Sequence, residues 1–475
     1  MASTESRVHH ELSPPLHVLA QQLARRGHFV TFVSTPRNLA RTRPVPPELA
    51  PYIRFAPLPL PAVDGLSAGT ESTFDVPPEK VELLKVAFDG LAAPFAGFLA
   101  TACAAGEEGH GRKPDWILVD FAHHWLPPIA DDHEVPCALF LIFPAAFVAF
   151  MGTKELNDAH PRTAAEHFMV PPPWIPSPSP IAYRRHEAEW IVQAAFRPNA
   201  SGISDGTRHR ETVRRCALIV CRCSREVDGA LCTLVDDIYG KPVLPCSLLA
   251  PYDAARAAGG NGSGGAADDE ETASLVRWLD AQPARSVLYV AFGSEAPLTP
   301  ERVRALALGL ELAGVRFVWA LREAGGGAGL LPKGFQARVA GRGVVHVGWV
   351  PQVRVLAHAA VGGFFTHAGM SSLMESFLFG HPIVMLPLFA DQGLTARLMA
   401  ERRVGLEVPW SVHGGSAFTG EDVAATVRRV MVEEEEGEVF RRNAGELKGV
   451  LWDTARQERY LDDLVEHLLV QHRVE

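Results

Sequence analysis

The sequence predicts an α/β protein of two doubly wound domains, and three observations support this fold class. The chain has 475 residues, 47% of them hydrophobic and 21% charged, enough for two ordinary globular cores. Short apolar segments alternate with amphipathic segments in both halves, as strands and helices do around a parallel sheet. Residues 254–271 are rich in glycine, alanine and acids without periodicity, which is typical of a linker. We therefore predict domains over 1–250 and 273–455, joined by a linker over 251–272.

Charge, hydropathy and cysteine content exclude several classes of protein. The net charge of −10 argues against a nucleic-acid partner or an anionic membrane surface. No apolar run reaches the roughly 18 residues of a membrane span. Residues 135–150 come closest, and we expect a buried strand and a buried helix there. The first residues lack the pattern of a signal peptide, and seven scattered cysteines, an odd number, indicate reduced thiols and a cytoplasmic protein.

In the N-terminal half, an amphipathic pattern predicts a first helix over 16–26, ended by Gly27. The polar residues 1–11 before it are predicted to be disordered, and the proline-rich residues 171–180 to form a loop. A long helix is predicted over 81–102. Strands are predicted at 29–34, 53–57, 115–120, 138–143, 217–221 and 242–245.

The C-terminal half repeats the alternation more regularly. Strands are predicted at 286–292, 316–321, 344–348, 361–365, 382–386 and 405–408. Helices are predicted at 275–281, 301–313, 393–402, 421–432, 439–453 and 459–470.

The stretch 349–392 is the most informative part of the chain. An apolar strand is followed by a small-residue turn, Thr366 to Gly369, by a helical pattern, and by a second strand that ends before Asp391. This order predicts a βαβ unit, in which the helix N-terminus offers N–H groups and a partial positive charge to a phosphate. Its polar residues fall at strand ends, where doubly wound sheets bind their ligands.

Residues 349–392 resemble the sugar-nucleotide box of plant family 1 UDP-sugar glycosyltransferases. The patterns W-x-P-Q, H-x-G-x-x-S-x-x-E and D-Q match in order and spacing. The likeness continues at 34–38, 278–280 and 289–294 and in the C-terminal helices. His123, His124 and Trp125, after Asp120, are similar to the subgroup that extends sugars already attached to a plant metabolite. The resemblance implies a GT-B fold, two Rossmann-like domains facing a cleft, with a C-terminal helix, here 456–475, packing back on the N-terminal domain.

The resemblance also implies a set of UDP-sugar-binding residues. These candidates are Ser294, Trp349, Val350, Gln352, His367, Gly369, Ser371, Ser372, Glu375, Asp391 and Gln392. Trp349 would stack on the uracil, and Gln352 would meet the base edge. Glu375 would accept the ribose hydroxyls.

The remaining candidates would bind the phosphates and the sugar. His367, at the start of the helix, would meet the pyrophosphate together with Ser372 and Ser294. Asp391 and Gln392 would bind sugar hydroxyls, and a glutamine at that position resembles glucosyl donors, with UDP-rhamnose left open.

Simpler interpretations exist for single residues. Trp349 alone is compatible with a half-buried core tryptophan, Ser294 with a helix N-cap, and Glu375 with a solvated helix acid. The box also departs from the family pattern at Ala368, Ser371 and Met370. Met370 replaces a tryptophan, so an indole donor near the donor sugar is missing.

The implied reaction is attack of an acceptor hydroxyl on the anomeric carbon, with inversion and departure of UDP. A hydroxyl needs a general base at neutral pH. In the family a histidine from the first strand–helix loop serves as this base and is oriented by an aspartate, which Asp120 matches. Taken alone, Asp120 is also compatible with a simple strand-end acid. His10 is the nearest candidate for the base. The apolar strand expected before the first helix is missing. Its absence would cost the domain on the order of 8–18 kcal/mol of stabilisation from buried apolar side chains, so we expect an N-terminally truncated form.

The sequence therefore predicts a monomeric, metal-independent UDP-glycosyltransferase with no cofactor besides its UDP-sugar co-substrate. The acceptor is expected to be a plant small molecule, such as a flavonoid, a terpenoid or one of their glycosides. Two alternatives are a relative that binds UDP-sugar without turnover and, from another class, a sugar-nucleotide epimerase.

Overall fold

A computed structural model describes residues 13–42, 44–104, 110, 112–251, 270–293, 296, 298–321, 327–410 and 418–472. The chain divides into two compact units. The first unit consists of the residues up to Leu249 together with those from Thr454 onward. The second unit consists of the residues between them. Both units are α/β, and the two-domain fold class with a returning C-terminal helix is confirmed.

All strands of the described residues pair in parallel, in three sheets. The first unit has a two-stranded sheet, β1-β2, and a four-stranded sheet in the order β3-β4-β5-β6; the second unit has a six-stranded sheet in the order β12-β11-β10-β7-β8-β9. The strands are β1 Val30–Ser34, β2 Ile53–Pro57, β3 Ile117–Val119, β4 Cys137–Leu141, β5 Leu218–Cys221, β6 Val243–Pro245, β7 Val287–Ala291, β8 Arg316–Leu321, β9 Gly343–Val347, β10 Val361–Thr366, β11 Ile383–Met385 and β12 Gly405–Glu407.

Helices fill the connections, as parallel strands require. In the first unit they are α1 Ser13–Arg25, α2 Pro36–Arg41, α3 Val81–Asp89, α4 Ala92–Ala104, α5 Leu126–Asp131, α6 Ala145–Met151, α7 Lys154–Ala159, α8 Arg185–Phe196, α9 Asp205–Arg215, α10 Arg225–Asp228 and α11 Ala230–Tyr239. Those that follow are α12 Glu270–Asp280, α13 Pro300–Ala313, α14 Phe335–Arg338, α15 Gln352–Ala357, α16 Met370–Phe377, α17 Gln392–Glu401, α18 Gly420–Met431, α19 Glu434–Trp452 and, back in the first unit, α20 Thr454–His472.

The core of the first unit lies on both faces of β4, whose five residues are all buried. Helices α1 and α20 cover one face through Leu19, Leu23, Leu461 and Leu464. The indole N–H of Trp116 donates to the carbonyl oxygen of Leu468 at 3.0 Å. These contacts explain why α20 belongs to the first unit. Strand β1, in contrast, is only half-buried. The predicted loss of an earlier strand concerns residues outside those described and stays a prediction.

The sheet of the second unit reverses its strand order beside β7. From β7 the chain continues through β8 and β9 on one side, and then returns to β10, β11 and β12 on the other. Strands β7, β10 and β11 are buried throughout, which accounts for their nearly continuous apolar sequences. A reversal of this kind leaves a crevice at the carboxyl ends of the two central strands, β7 and β10.

The helix predicted over 81–102 is two helices, α3 and α4, and this prediction was wrong in its continuity. A Cβ atom on Gly90 would lie 3.0 Å from Cγ of Pro61, so a close approach marks the break. Within the described ranges, 81–104 is the stretch long and apolar enough to cross a membrane, a test of length and composition that core helices also pass. Phe95 and Leu99 from this stretch are buried in the core.

Candidate functional site

The turn after β10 holds a buried imidazole between two glycines. His367 is 2% exposed. A Cβ atom on Gly369 would lie 2.5 Å from its Nε2 atom, and one on Gly293 would lie 2.8 Å from its Cε1 atom. Gly293 also has a φ of +73°, which side chains rarely adopt. The histidine therefore lies where the ends of β7 and β10 meet, and both glycines are required by its ring.

Burial keeps this imidazole neutral. It lowers the pKa of His367 to about 4, so that one ring nitrogen carries a proton at neutral pH and the other accepts. Oγ1 of Thr366 lies 3.3 Å from its Nδ1 atom. Helix α16 begins at Met370, with Gly369 as its N-cap. The prediction that His367 starts the helix is thus corrected: it precedes the helix and lies before its free N–H groups.

Two alanines beside the site have left-handed backbone conformations. Ala368 has a φ of +66° and Ala390 a φ of +56°. Such conformations cost about 1–2 kcal/mol for a residue with a Cβ atom, and they concentrate at functional sites. They lie in the turns before α16 and α17, which start with Met370 and Gln392. The backbone is strained at the two turns that position the candidate residues.

Three of the predicted residues form one hydrogen-bonded group. The amide nitrogen Nε2 of Gln352 lies 2.8 Å from Oε2 of Glu375 and 3.3 Å from Oγ of Ser372. Its Oε1 atom accepts from the hydroxyl of Tyr289 at 3.5 Å. Burial, and then the charge of Glu375, raise the pKa of Tyr289, so the phenol stays protonated as a donor. The interpretation of Glu375 as a merely solvated acid does not fit these contacts.

Tyr289 was missed from the sequence. It lies in β7, opposite Phe364 of β10, with ring centroids 5.3 Å apart. The only available signal was a hydroxyl-bearing residue in an otherwise apolar strand, which needs a partner when it is buried.

Trp349 is 78% exposed, which excludes the interpretation as a core tryptophan. It follows β9, and its carbonyl oxygen lies 3.1 Å from Nε2 of His346. The neighbouring Val350 is buried, so the backbone is anchored while the indole faces solvent. An exposed aromatic face at a strand end suits the stacking of a planar base.

The C-terminal end of the stretch 349–392 is held by more hydrogen bonds than its sequence suggests. Gln392 is buried, and its Oε1 atom accepts from the backbone N–H groups of Leu388 and Phe389 at 2.9 and 3.2 Å. Asp391 is the N-cap residue of α17. Met370 is buried and Ser371 half-buried at the start of α16. Ser294 lies outside the described residues.

In the first unit, Asp120 follows β3 and pairs with a histidine of its own loop. Asp120 is 5% exposed, and the Oδ1 atom of its carboxylate accepts from the backbone N–H of Ala122 at 2.7 Å. Nδ1 of His123 lies 2.9 Å from the same oxygen. The ring of His123 meets Phe88 edge-on at 4.9 Å and Trp125 at 5.6 Å. His10, the predicted base, lies outside the described residues.

The two neighbouring histidines have opposite electrostatic surroundings. Burial acts to lower the pKa of His123, but the charge and hydrogen bond of Asp120 outweigh it and raise that pKa above 6.5. Burial and the charge of Arg208 lower the pKa of His124. Nη1 of Arg208 is 3.3 Å from Nδ1 of His124, and the guanidinium is ion-paired to Asp89. The surroundings of His123 therefore favour its protonated form, and those of His124 favour its neutral form.

Helix α9 fixes the loop that carries this pair. Nη1 of Arg208 donates to the carbonyl oxygen of Ala122 at 3.4 Å. Oγ1 of Thr212 donates to that of Phe121 at 3.1 Å. Both side chains are buried, so the backbone between Asp120 and His123 is held from behind.

A further buried histidine, His381, follows α16 and should make the stability of the fold sensitive to acid. Nε2 of His381 lies 2.6 Å from the carbonyl oxygen of Leu356, and burial, opposed by this bond, lowers its pKa to about 4. An unfolded histidine titrates near 6.5, so below that pH the unfolded chain gains a proton that the folded chain refuses. Stability should fall by about 2–3 kcal/mol as the pH drops from 7 to 4.5. We expect His381→Gln to remove this part of the loss in urea unfolding, whereas His160→Gln, at an exposed position, should not. An unchanged pH dependence in His381→Gln would contradict the assignment.

Comparison with known proteins places these features in context. The family model "UDP-glucoronosyl and UDP-glucosyl transferase" matches residues 262–454. UDP-glycosyltransferase 91B1 of Arabidopsis thaliana is 38% identical over 96% of this chain and 94% of its own length. Soyasaponin III rhamnosyltransferase of Glycine max is 36% identical over 96% of this chain and 92% of its own. The solved structure of Phytolacca americana UGT2, complexed with UDP-2fluoro-glucose and pterostilbene, is similar in fold, with a TM-score of 0.70, 22% identity and 96% of both chains covered.

Proposed function

The chain belongs to the plant family 1 UDP-sugar glycosyltransferases, and from that membership we propose that it transfers glucose, in preference to other hexoses, to a hydroxyl of a plant small molecule or its glycoside. UDP-sugar-dependent transfer onto plant small molecules is the activity of the family. The observation that carries the proposal is the joined group of Gln352, Ser372 and Glu375, next to the neutral His367 at the reversal of the sheet.

In this proposal each part of UDP meets a matching group. Trp349 stacks on the uracil, and Gln352, whose amide is already oriented by Glu375, meets the base edge. Glu375 accepts the ribose hydroxyls through charge-assisted hydrogen bonds. Val350 anchors the backbone beside the base.

The pyrophosphate and the sugar lie further along the same edge of the sheet. The first N–H groups of α16, His367 and the hydroxyls of Ser294, Ser371 and Ser372 donate to the phosphate oxygens. Gly369 leaves room for this approach. Asp391 accepts from sugar hydroxyls and Gln392 donates to them, since Oε1 of Gln392 is committed to the loop.

We propose that no metal takes part, because neutral donors and a helix N-terminus meet the leaving diphosphate directly. Transfer should then keep its rate, within about twofold, in an excess of EDTA. Full loss in EDTA, restored by Mg²⁺ or Mn²⁺, would overturn this part of the proposal.

The chemistry of the transfer needs one proton removed. The acceptor oxygen attacks the anomeric carbon, the bond from that carbon to the β-phosphate oxygen breaks, and UDP leaves with the electron pair. Inversion follows from attack opposite the leaving group. A base takes the hydroxyl proton. Asp120 orients this base and stabilises it once it carries the proton. The resemblance assigned that base to a histidine near the N-terminus, for which His10 is the candidate.

Two features bear on the donor and acceptor. The glutamine at position 392 favours glucose, whereas the rhamnosyltransferase from Glycine max is among the similar proteins. The His123-His124-Trp125 sequence resembles enzymes that act on glycosides, so flavonoid and terpenoid glycosides are the proposed acceptors.

The deciding experiment measures UDP-glucose and UDP-rhamnose consumption with and without a panel of phenols, terpenoids and their glycosides, beside titration calorimetry with UDP. Glucoside formation that requires an acceptor supports the proposal. Rhamnoside formation alone would overturn the donor preference. UDP binding without product indicates a binding protein, and conversion of UDP-glucose without acceptor indicates an epimerase.

We also propose that the protein acts as a monomer in the cytoplasm. All seven cysteines are free thiols, and six of them are buried, which suits a reducing compartment. Size-exclusion chromatography with light scattering and fractionation of plant cells test the two statements.

A further inference from the structure

We propose that the thiols of Cys223 and Cys232 and the carboxylate of Asp228 form a binding site for one Zn²⁺ ion in the first unit. Their ligand atoms all lie within 4.8 Å of one another. The site shares no residue with the proposed UDP-sugar site, whose residues all lie between positions 294 and 392. The ion would therefore stabilise the fold of the first unit and take no part in the departure of UDP.

The ligand set suits a soft divalent cation. A cysteine sulfur binds Zn²⁺ at about 2.3 Å, so two sulfur atoms on the same tetrahedral ion are about 3.8 Å apart. Ligand atoms that already lie within 4.8 Å of one another need only small side-chain movements to reach this geometry. Ca²⁺ and Mg²⁺ prefer oxygen ligands, which makes a site with two thiols a poor one for them.

The thiol of Cys221 supplies the fourth ligand of the proposed site. The thiol of Cys223 is hydrogen-bonded to those of both Cys221 and Cys232. Cys221 continues the series by donating from its Sγ atom to the carbonyl oxygen of Phe143 at 3.8 Å. Three sulfur atoms are therefore adjacent, and together with Asp228 they match the four ligands of a closed structural zinc site.

The local backbone structure brings these residues together. Cys221 ends β5, and Asp228 ends α10. Gly229, between α10 and α11, has a φ of +62°, which side chains rarely adopt. The chain turns at this glycine, and Cys232 in the first turn of α11 lies within reach of Cys223.

Backbone groups hold the carboxylate of Asp228 in place. Its Oδ2 atom accepts from the N–H of Ser224 at 3.0 Å, and its Oδ1 atom accepts from the N–H of Ala145 at 3.3 Å. Hydrogen bonds of this kind orient the carboxylates that ligate metal ions. Asp228 is 2% exposed, so a bound cation would also offset a negative charge that is buried in the core.

The same thiols are poorly suited to a redox switch. The hydrogen bond with a neighbouring thiol, and burial with it, raises the pKa of Cys223 and of Cys232. Oxidation to a disulfide needs a thiolate that is accessible to an oxidant. A bound cation instead displaces the proton of each thiol that ligates it, and these protons pass to solvent. The arrangement therefore favours a metal ion over a disulfide.

The test uses the reduced full-length protein, stripped of metal and titrated with Zn²⁺ against a chromogenic chelator. We expect one tightly bound Zn²⁺ per chain. Cys223→Ala and Cys232→Ala should each weaken binding at least about 100-fold, and Asp228→Asn at least about 10-fold. The matched controls are Cys103→Ala, at a half-buried cysteine of α4, and Cys216→Ala, at a buried cysteine after α9. Both should keep the wild-type Kd for Zn²⁺.

Two measurements on the wild type do not depend on a folded variant. Co²⁺ in place of Zn²⁺ should give the sulfur-to-metal charge-transfer absorption of bound thiolates. At a Zn²⁺ concentration about 100 times its Kd, the apparent Tm should rise by about 5–10 °C.

Three results would each overturn the inference: no tight Zn²⁺ binding, a Co²⁺ spectrum without sulfur-to-metal charge transfer, or an unchanged Kd when Cys223→Ala and Cys232→Ala are combined. Loss of binding in Cys103→Ala, with Cys223→Ala unaffected, would show an adventitious ion at a half-buried thiol instead. None of these results bears on the proposed transferase function, which is tested by product formation.

Discussion

Replacing Asp120 with asparagine is expected to lower kcat about 10²–10⁴-fold while the Kd for UDP stays unchanged. The substitution preserves the shape of the side chain and leaves Oδ1 to accept from the N–H of Ala122. It removes the negative charge that, in the proposed function, stabilises the base once the base has taken the acceptor proton. The loss should therefore appear in the chemical step and not in the binding of the nucleotide.

The pH dependence of kcat/KM provides a second test of this prediction, with an expected direction of change. A carboxylate beside the base favours the protonated form of that base, so in the wild type the negative charge of Asp120 should raise the pKa of the base. Asparagine removes that charge, so the pKa of the base should fall. The acid limb of kcat/KM should move to lower pH even as the plateau falls.

A matched carboxylate supplies the control. Asp131, at the exposed end of α5, forms a surface ion pair with Arg215 at 3.2 Å. Asp131→Asn should leave kcat and the acid limb unchanged, because exposed ion pairs contribute little. An acid limb that stays in place in Asp120→Asn would show that the carboxylate does not tune the base.

Much of the fold followed from the sequence because each strand is a short apolar run with a clear boundary. The buried strands β7, β10 and β11 have few polar residues to confuse the pattern, and their order along the chain alternates with helices. The prediction of one continuous helix over 81–102 was wrong because no clear boundary marks its break in the sequence. Its composition is largely apolar, and the break lies at Gly90, where a Cβ atom would lie 3.0 Å from Cγ of Pro61, a residue distant in sequence.

The candidate site was predicted in its members but not in its connections. Spacing placed Gln352, Ser372 and Glu375 in one stretch, yet their hydrogen bonds depend on how α15 packs against α16. Tyr289 joins them through its hydroxyl, 3.5 Å from Oε1 of Gln352, a contact between residues 63 positions apart in the sequence. In the other unit, the contact of His123 with Asp120 depends on the turn that Arg208 and Thr212 fix from α9.

The second large effect is expected at Glu375, where alanine should weaken UDP binding about 10–150-fold. Under the proposed function the side chain acts in two ways, because it orients the amide of Gln352 at 2.8 Å and would accept the ribose hydroxyls. Hydrogen bonds to a charged group contribute about 1.5–3 kcal/mol, which corresponds to that range of Kd. Glu375→Gln keeps a hydrogen-bond acceptor without the charge, so its loss of UDP affinity should lie near the lower end of that range. Calorimetry with UDP measures both variants.

A double-mutant cycle with Gln352→Ala separates the two partners of Glu375. If Glu375 acts partly by orienting Gln352, the double variant should lose less binding energy than the sum of the single losses, since the shared contact is removed only once. Glu401→Ala, at an exposed position near the end of α17, is the control and should bind UDP as the wild type does. A Kd within threefold of wild type in Glu375→Ala would mean that this carboxylate does not bind the ribose. Strict additivity would mean instead that it binds the ribose alone, with the amide of Gln352 oriented through Ser372 and Tyr289.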